Sequence, residues 1–506
     1  MTSSPFIVRQ DVRRHWAVYL GLAFALLIWG LLDVRVRAQR FPDRPDLHMT
    51  DLTVYTEAGA AFFDGRDPYR VTNDRGWSYL YPPLFAMLLA TLQPLETTNQ
   101  ALIWFAISVL LTFGSYWESR RLLTALSRDV AASNGVELRV PGWVWLSCLG
   151  ATMLPALNCL QRGQVGAVKL YLLMLGLRLA WEGKTRRDWF LAGIVLASPI
   201  VLKLTPALPV GCLLFVLLVR GWCERDSNLR ASWNQAWSAT FGVVAGCALF
   251  FLLIPGTLIG WNTNLRNLET WYRDVVVNVN DVRETDFGHD VASIRNQSLM
   301  NAVYRGGNWM NFQLYGSPDD RFVDWLDGAY GSMPMDVPAA NLSLHAIRLV
   351  ALGVLFLLAL RVASSRDALG MACVFGLACV ATLVVSPVAR GHYFVMMFPA
   401  VLLVPLWFES QQLHRAARWA AFVPVALSWM HYVLLDWTGR MGVLGIGTTV
   451  WFFAVCVWMA RFSTCVVKTD SGDTAVTESV RPMLHGTPAP HCPAQWATLT
   501  QSPERT

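Results

Sequence analysis

The chain has 506 residues, of which 54% are hydrophobic and only 15% charged, and its mean hydropathy is +0.38. That balance excludes a soluble globular or disordered chain and places the sequence in the membrane class. The formal charge of +6 is no nucleic-acid signature, because many Lys and Arg residues stand in short loops between apolar runs, where they set topology.

Ten cysteines raise the question of a disulfide framework. Cys148, Cys159, Cys212, Cys247, Cys373, Cys379 and Cys456 lie in or beside apolar runs and read as small buried hydrophobes. The two long polar loops, 33–99 and 256–341, contain no Cys, so disulfides do not fold them.

In chain order, Arg9, Arg13, Arg14 and His15 precede an apolar run from Trp16 to Leu32 with no small-residue cleavage site after it. This predicts an uncleaved signal anchor, with residues 1–15 a cytoplasmic N-terminus. About 20 residues cross a ~30 Å hydrocarbon core. Further runs near that length fall at about 100–118, 143–160, 164–182, 188–203, 206–222 and 236–255, then at 342–361, 368–386, 391–408, 418–435 and 443–461. The expectation is an all-α polytopic membrane protein, a bundle of about 12 transmembrane helices over residues 16–462.

Loop charge fits that count. Arg120, Arg121, Arg128 and Arg139 fall inside, as do Lys184, Arg186 and Arg187, Arg220, Arg225 and Arg230, Arg361 and Arg366, and Arg415 and Arg418. The short outside loops carry little more than Arg162, Arg390 and Arg440, although Arg35, Arg37 and Arg40 also fall outside and count against the assignment. The scheme requires the short run Tyr81–Leu92 to be re-entrant or interfacial and not a crossing. Residues 463–506, rich in Thr, Ser and Pro, are predicted to be a disordered cytoplasmic tail.

This topology gathers the unusual polar residues at one face: Asp51, Tyr81, Arg162, Gln164, Lys203, Asn296, Arg390 and His392. An ionisable residue at the centre of a membrane helix costs ~2.5–3.5 kcal/mol on insertion scales, so Lys203 and His392 need a reason. Each has an ordinary one. Asp51 opens a predicted helix to about Phe63, whose apolar face is Leu52, Tyr55, Gly59 and Phe62, and a first-turn Asp suits the helix dipole. Gly65 and Pro68 then supply a helix stop. A lysine near a helix end commonly snorkels, a lone His is commonly a hydrogen-bonded one, and Trp and Tyr commonly form an interfacial belt.

The functional reading stands beside these. In Lys203-Leu204-Thr205-Pro206, Thr205 is a good N-cap and Pro206 suits the first helical position, so Lys203 borders an outward-facing helix start, which is an anion site. Ser386 and Pro387 open a similar corner carrying Arg390 and His392. Two cationic corners on one face point to a lipid phosphate or pyrophosphate.

These residues also carry a family likeness. Asp51, Tyr55, Gly65, Asp67-Pro68-Tyr69 and Tyr81-Pro82-Pro83 resemble the first outer loop of the polyprenyl-phosphate-mannose-dependent mannosyltransferases of glycosyltransferase family 87, which have the GT-C fold. Asn158 with Gly163-Gln164, then Lys203–Pro206, Asn296-Gln297-Ser298-Leu299 and Ser386-Pro387 with His392 follow in the same order.

The resemblance implies a GT-C-like catalytic domain whose first outer loop carries short interfacial helices. It implies an inverting transfer of a sugar, mannose first among them, from a polyprenyl-phosphate donor to a hydroxyl of a glycolipid or glycan acceptor. By resemblance Asp51 is the catalytic base. Lys203, Arg390, His392 and Arg162 are the candidates for the donor phosphate, and Tyr55, Tyr81, Gln164 and Asn296 for sugar or acceptor. The implied setting is a multi-pass protein of the plasma membrane, active on its extracytoplasmic face, with membrane lipids and no nucleic acid as partners.

Absences also discriminate. The sequence has no D-x-D triplet of a metal-held nucleotide sugar and no phosphate-binding G-x-x-x-x-G-K-[ST] loop. Its histidines show no paired metal-ligand spacing, so no metal or other cofactor is expected, with a divalent-cation requirement left open. Asn296-Gln297-Ser298 and Asn341-Leu342-Ser343 match the glycosylation triplet, a pattern frequent by chance. Two other functions remain in play: a flippase for a lipid-linked sugar, and an oligosaccharide ligase using a pyrophosphate lipid.

Overall fold

A computed structural model describes residues 21, 24–25, 27–41, 43–44, 47–134, 138, 140–223, 229–277, 295–299, 302, 337–365 and 367–463. All of these belong to one compact unit, Met1–Cys465. The basic N-terminus, most of the loop 278–336 and the tail from residue 464 lie outside the described residues, as do Arg139, Arg225 and Arg366.

The described chain is helical throughout, with isolated bridges in place of a sheet. Backbone satisfaction inside a bilayer explains this, since a helix pairs its own N–H and C=O groups within one segment. The first run ends in a helix, α1, that is helical over 27–38 and so extends past the end of the apolar stretch at Leu32. The outer-loop helices α2 (Leu52–Phe63) and α3 (Pro83–Leu89) come next. The long helices follow: α4 (Thr97–Asn134), α5 (Gly142–Gln161), α6 (Gly166–Glu182), α7 (Arg186–Leu202), α8 (Ala207–Cys223) and α9 (Leu229–Cys247). After α9 the chain runs through a π-turn into α10 (Ile254–Ile259) and α11 (Trp261–Thr270). The last group is α12 (Val337–Ser365), α13 (Ala368–Val385), α14 (Phe398–Ser410), α15 (His414–Val433), α16 (Leu435–Met441) and α17 (Val443–Phe462).

Each of the runs expected from residue 100 onward lies in a helix. Among the described residues, seven helices are by length and composition apolar enough to cross a membrane, including Thr97–Ala131, Ala368–Val385 and Val443–Phe462. Three others, α6, α7 and α8, have 17 residues, the short end of the spanning range at about 1.5 Å per residue. The count of about 12 is thus not established by the helices themselves. The Tyr81–Leu92 segment is α3 plus one 3-10 turn, Ala90–Leu92. At about 1.5 Å per residue it is too short to cross a ~30 Å core.

The centre of the bundle is α13, which is apolar all round and buried from Leu369 to Val384. Around it pack α8, α12, α14 and α17. The cysteines Cys148, Cys159, Cys373, Cys379 and Cys456 are buried, and Cys212 and Cys247 are half-buried.

The first outer loop has a core of its own. The predicted face of α2 holds: Leu52, Tyr55, Gly59 and Phe62 are all buried. The helix stops at Gly65, which takes φ +71°, and the Arg66 amide bonds back to the Ala61 carbonyl at 3.0 Å, the closing bond of a Schellman turn. Asp67-Pro68-Tyr69 is more than punctuation. Tyr69 stacks into a cluster with Phe62 and Tyr79, which continues through Tyr55, Tyr81 and Phe85 to Trp104. The aromatic residues of this loop therefore form a packed interior and not an interfacial belt, contrary to expectation. The Tyr79 hydroxyl donates to the Pro82 carbonyl at 2.6 Å and accepts from the Ala86 amide at 3.2 Å, which fixes the Tyr-Pro-Pro segment onto α3. Arg37 and Arg40, awkward for the topology, pair with Asp33 and with Glu57 and Asp74.

Candidate active site

Asp51 stands one residue before α2, as expected, but its carboxylate makes no capping bond. The side chain turns instead toward the loop between α5 and α6. Arg162 meets it at two points, Nε to Oδ2 at 2.9 Å and Nη2 to Oδ1 at 3.3 Å. Gln164 Nε2 donates to Oδ2 at 2.6 Å and Arg75 Nη1 donates to Oδ1 at 3.0 Å. The Asp51 amide donates to the Arg162 carbonyl at 2.9 Å, so backbone and side chain lock the same two segments together.

Gly163 explains why this loop can come so close. Its φ is +69°, and a Cβ there would stand 3.1 Å from Leu52 Cβ and 3.3 Å from Thr50 Oγ1. Only glycine takes this left-handed conformation without a steric cost, and the turn it makes aims Gln164 at Asp51. Gln164 also accepts from the Tyr55 hydroxyl at 3.2 Å. The glycine-glutamine pair therefore orients the carboxylate and the tyrosine at once.

Arg75 arrives on a tight turn that the sequence reading missed. Asn73 Oδ1 accepts from the Arg75 and Trp77 amides at 3.1 and 3.0 Å, and its Nδ2 donates to Thr53 Oγ1 on α2 at 2.9 Å. Gly76 closes the turn at φ +73°. The signal was present: Asn at the first position and Gly at the fourth of a four-residue turn, Asn73-Asp74-Arg75-Gly76.

Beside Asp51 lies a cavity of about 470 Å³, within the usual range for a ligand site. Asp51, Tyr55, Tyr81, Gln164, Lys203, Arg390 and His392 all line it, so the structure unites seven predicted site residues drawn from distant parts of the chain. Asp51 is the one carboxylate among the described lining residues. Its lining is otherwise largely apolar, with Leu204, Leu208, Trp271, Val275, Val276, Val385 and Val388. Trp271 is tied to the first loop by its indole N–H, which donates to the Leu80 carbonyl at 3.3 Å.

Lys203 ends α7 and does not snorkel away. Its Nζ donates to the Tyr81 hydroxyl at 3.3 Å and sits 3.8 Å from the centre of the Tyr393 ring. The helix after it starts at Ala207, so Thr205 and Pro206 form the preceding turn and not the expected N-cap and first position. Arg390 lies over Trp77, 4.5 Å from the ring centre. After Ser386 and Pro387 the chain runs extended to Arg390 and only then enters a 3-10 helix, Gly391–Met397. His392 is buried, yet neither ring nitrogen has a hydrogen-bond partner among the described residues. No bond among the described residues supports the ordinary reading of a satisfied histidine, and two polar atoms stand at the cavity wall.

Two predicted residues are placed differently. Arg162 is not among the lining residues, being engaged with Asp51 from behind. Asn296 also stands back: its Oδ1 accepts from the Ser298 and Ala389 amides, both at 3.0 Å. It clamps the segment 296–298 against the strand-like stretch holding Arg390, with which it forms an isolated bridge. Besides Arg75 and Trp77, the residues missed by the sequence reading include Tyr393 and the buried Lys169, whose Nζ lies 5.7 Å from the Tyr393 ring. Among the described residues, no group of three or more His, Cys, Asp or Glu is placed to hold a metal.

The electrostatics follow from this geometry. Burial pushes the Asp51 carboxyl upward, but Arg162 by charge and hydrogen bond, with the charges of Arg390 and Arg75, outweighs burial and holds it below its usual value. Asp51 is therefore ionised at neutral pH. In a mostly apolar cavity the carboxylate can accept a proton, while the cations Lys203 and Arg390 can hold an anion with a greasy tail.

Comparison with known proteins gives the same direction. The chain is 25% identical, over 93% of its length and 95% of the relative's, to a polyprenol-phosphate-mannose-dependent alpha-(1-2)-phosphatidylinositol mannoside mannosyltransferase of Mycolicibacterium smegmatis. It is 24% identical, over 76% of its length and 74% of the relative's, to a protein of the same description from Mycobacterium tuberculosis. The profile of glycosyltransferase family 87 matches residues 79–387, more than half of the chain and a span that holds the lining residues from Leu80 to Pro387, while those at the start of the first loop and from Val388 to Tyr393 fall outside it. With a helical membrane architecture and a cavity lined largely from that span, the chain belongs to glycosyltransferase family 87.

Proposed function

We propose that this enzyme transfers mannose from a polyprenyl-phosphate donor to a hydroxyl of a glycolipid, with inversion at the sugar C1, on the extracytoplasmic face of the plasma membrane. The observation that carries the reading is Asp51, the one carboxylate among the described lining residues, set in a cavity whose other described charged lining groups, Lys203 and Arg390, are cationic. An inverting transfer with a phosphate leaving group needs one base and no acid, whereas glycoside hydrolysis generally uses a carboxyl pair.

In this reading Asp51 takes the proton of the acceptor hydroxyl as its oxygen attacks C1, a contribution typically worth ~10²–10⁴-fold. The bond from C1 to the phosphate oxygen breaks, and polyprenyl phosphate leaves with the electron pair. Lys203, Arg390 and His392 receive the charge that develops on that phosphate. The apolar wall of Leu204, Leu208, Val275 and Val276 takes the first isoprene units. Tyr55, Tyr81 and Gln164 contact the sugar or the acceptor. Arg162 enters as the holder of Asp51, and Asn296 as the clamp that sets Arg390. The two mycobacterial relatives are described as using a polyprenol-phosphate mannose and a phosphatidylinositol mannoside, which supports the same classes here. An α-linked product formed with inversion requires a β-linked donor. The catalytic domain spans residues 16–462, crossing the membrane about 12 times.

The test is transfer by the purified protein in proteoliposomes, given labelled polyprenyl-phosphate mannose and a panel of glycolipid acceptors. Wild type transfers label and Asp51→Asn loses at least about 100-fold. Equal transfer by both proteins would remove Asp51 from this role.

A further inference from the structure

Asp51 is saturated. An ionised carboxylate has about four lone-pair sites, and Asp51 accepts four donors: Arg75 and Arg162 on Oδ1, Arg162 and Gln164 on Oδ2. A substrate hydroxyl brought to this carboxylate is a fifth donor, so one of the four must leave before Asp51 can take a proton.

The four are not held equally. Arg162 makes two contacts, and its own carbonyl is bonded to the Asp51 amide, so moving it would break the loop. Gln164 is fixed at its other end by Tyr55. Arg75 makes one contact, from a turn whose backbone is satisfied through Asn73 and does not depend on where the guanidinium points. Its guanidinium also lies 5.5 Å from the centre of the Trp77 ring, the same ring that Arg390 covers at 4.5 Å on the cavity wall. Arg75 is thus the removable donor, and it stands one indole ring from a cation placed to meet a phosphate.

We propose that Arg75 is a positioning residue that moves between two anions. It occupies Asp51 Oδ1 until the donor phosphate enters beside Arg390, then transfers its hydrogen bond to that phosphate and opens Oδ1 to the acceptor hydroxyl. The consequence is ordered chemistry: the base becomes available only when a donor is present to react. This deepens the reading of Asp51 as the base and rests on it.

The decisive measurement is a double-mutant cycle read by binding. The full-length chain in detergent micelles is titrated with polyprenyl phosphate, using wild type, Asp51→Asn, Arg75→Gln and the double variant. With Arg75 present, Asp51→Asn removes its competitor and tightens binding about tenfold; with Gln at 75 the gain is under about threefold, the part due to general charge repulsion. An equal gain in both backgrounds overturns the proposal.

Should the Asp51 variants not fold, the pH dependence of Arg75→Gln and Arg75→Lys decides. The acidic limb of kcat/KM, which reports the free enzyme, moves to higher pH in Arg75→Gln, while the limb of kcat, which reports the donor complex, stays. Arg75→Lys restores the wild-type limb. Both limbs moving together means that Arg75 stays on Asp51 throughout and ends the idea. Folded Asp51→Asn that transfers sugar removes the base reading alone, whereas an inactive Asp51→Asn without binding coupling removes only the Arg75 proposal.

Discussion

Arg162 and Asp51, 111 residues apart in sequence, face each other through two hydrogen bonds of 2.9 and 3.3 Å, and a third bond joins their backbones. This pairing ties the loop between α5 and α6 to the start of α2, and it decides where the carboxylate points. A planar guanidinium fits such a two-point contact, and a lysine ammonium does not. Arg162→Lys is therefore expected to lose one charge-assisted hydrogen bond, about 1.5–3 kcal/mol of stability, and to lower kcat at least about tenfold while the donor KM changes little. Thermal unfolding and steady-state transfer read the two effects. A variant with full stability and activity would show that the pair is incidental.

Gly163→Ala tests the backbone that makes the pairing possible. At φ +69° an L side chain costs roughly 1–2 kcal/mol, and its Cβ would press on Leu52 and Thr50. Both stability and kcat should fall. Gly142→Ala is the matched control, because a Cβ there meets nothing within 4 Å and its φ is ordinary. Similar behaviour of the two variants would refute the steric argument.

Lys203 and Tyr81 separate charge from shape in the phosphate corner. Lys203→Gln is expected to raise the donor KM about tenfold or more, because a cation facing a phosphate is lost. Tyr81→Phe removes only the hydroxyl that accepts from Nζ and should change KM by less than about fivefold. If Tyr81→Phe proves the more damaging, the Tyr81 hydroxyl and not the Lys203 charge serves the donor phosphate.

Acid should weaken the fold through Asp51. Its folded pKa lies below the unfolded value, since Arg162, Arg390 and Arg75 outweigh burial. Its contribution to stability is then complete above about pH 4, the ordinary aspartate range, and is lost as pH falls through the depressed folded value. Unfolding temperature measured in detergent should drop more steeply below about pH 4 for wild type than for Asp51→Asn. Parallel curves would mean that Asp51 is not the group responsible.

Much of this was legible in the chain itself. Helices from residue 100 onward follow from long apolar runs, because a bilayer core admits only segments that pair their own backbone. The buried face of α2 follows from the spacing of Leu52, Tyr55, Gly59 and Phe62. The membership of Asp51, Lys203 and His392 in one cavity followed from topology, since ionisable residues at helix ends on one face have few other places to go. The aromatic residues of the first loop were harder: composition treats them as a belt, and only the crossing of α2 over α3 shows that they pack on one another.

What sequence determined alone was therefore the class of protein, the helical segments and the chemical types gathered at one end, all properties of local composition and period. Tertiary structure decided which cations serve the carboxylate and which face the cavity. Arg162 and Asn296 looked like ligand groups and are engaged behind the wall, while Arg75, inconspicuous in a polar loop, reaches Asp51. The physical reason is that a hydrogen bond is settled within about 3 Å and by direction, and for residues 24, 93 and 111 positions apart no local pattern carries that information.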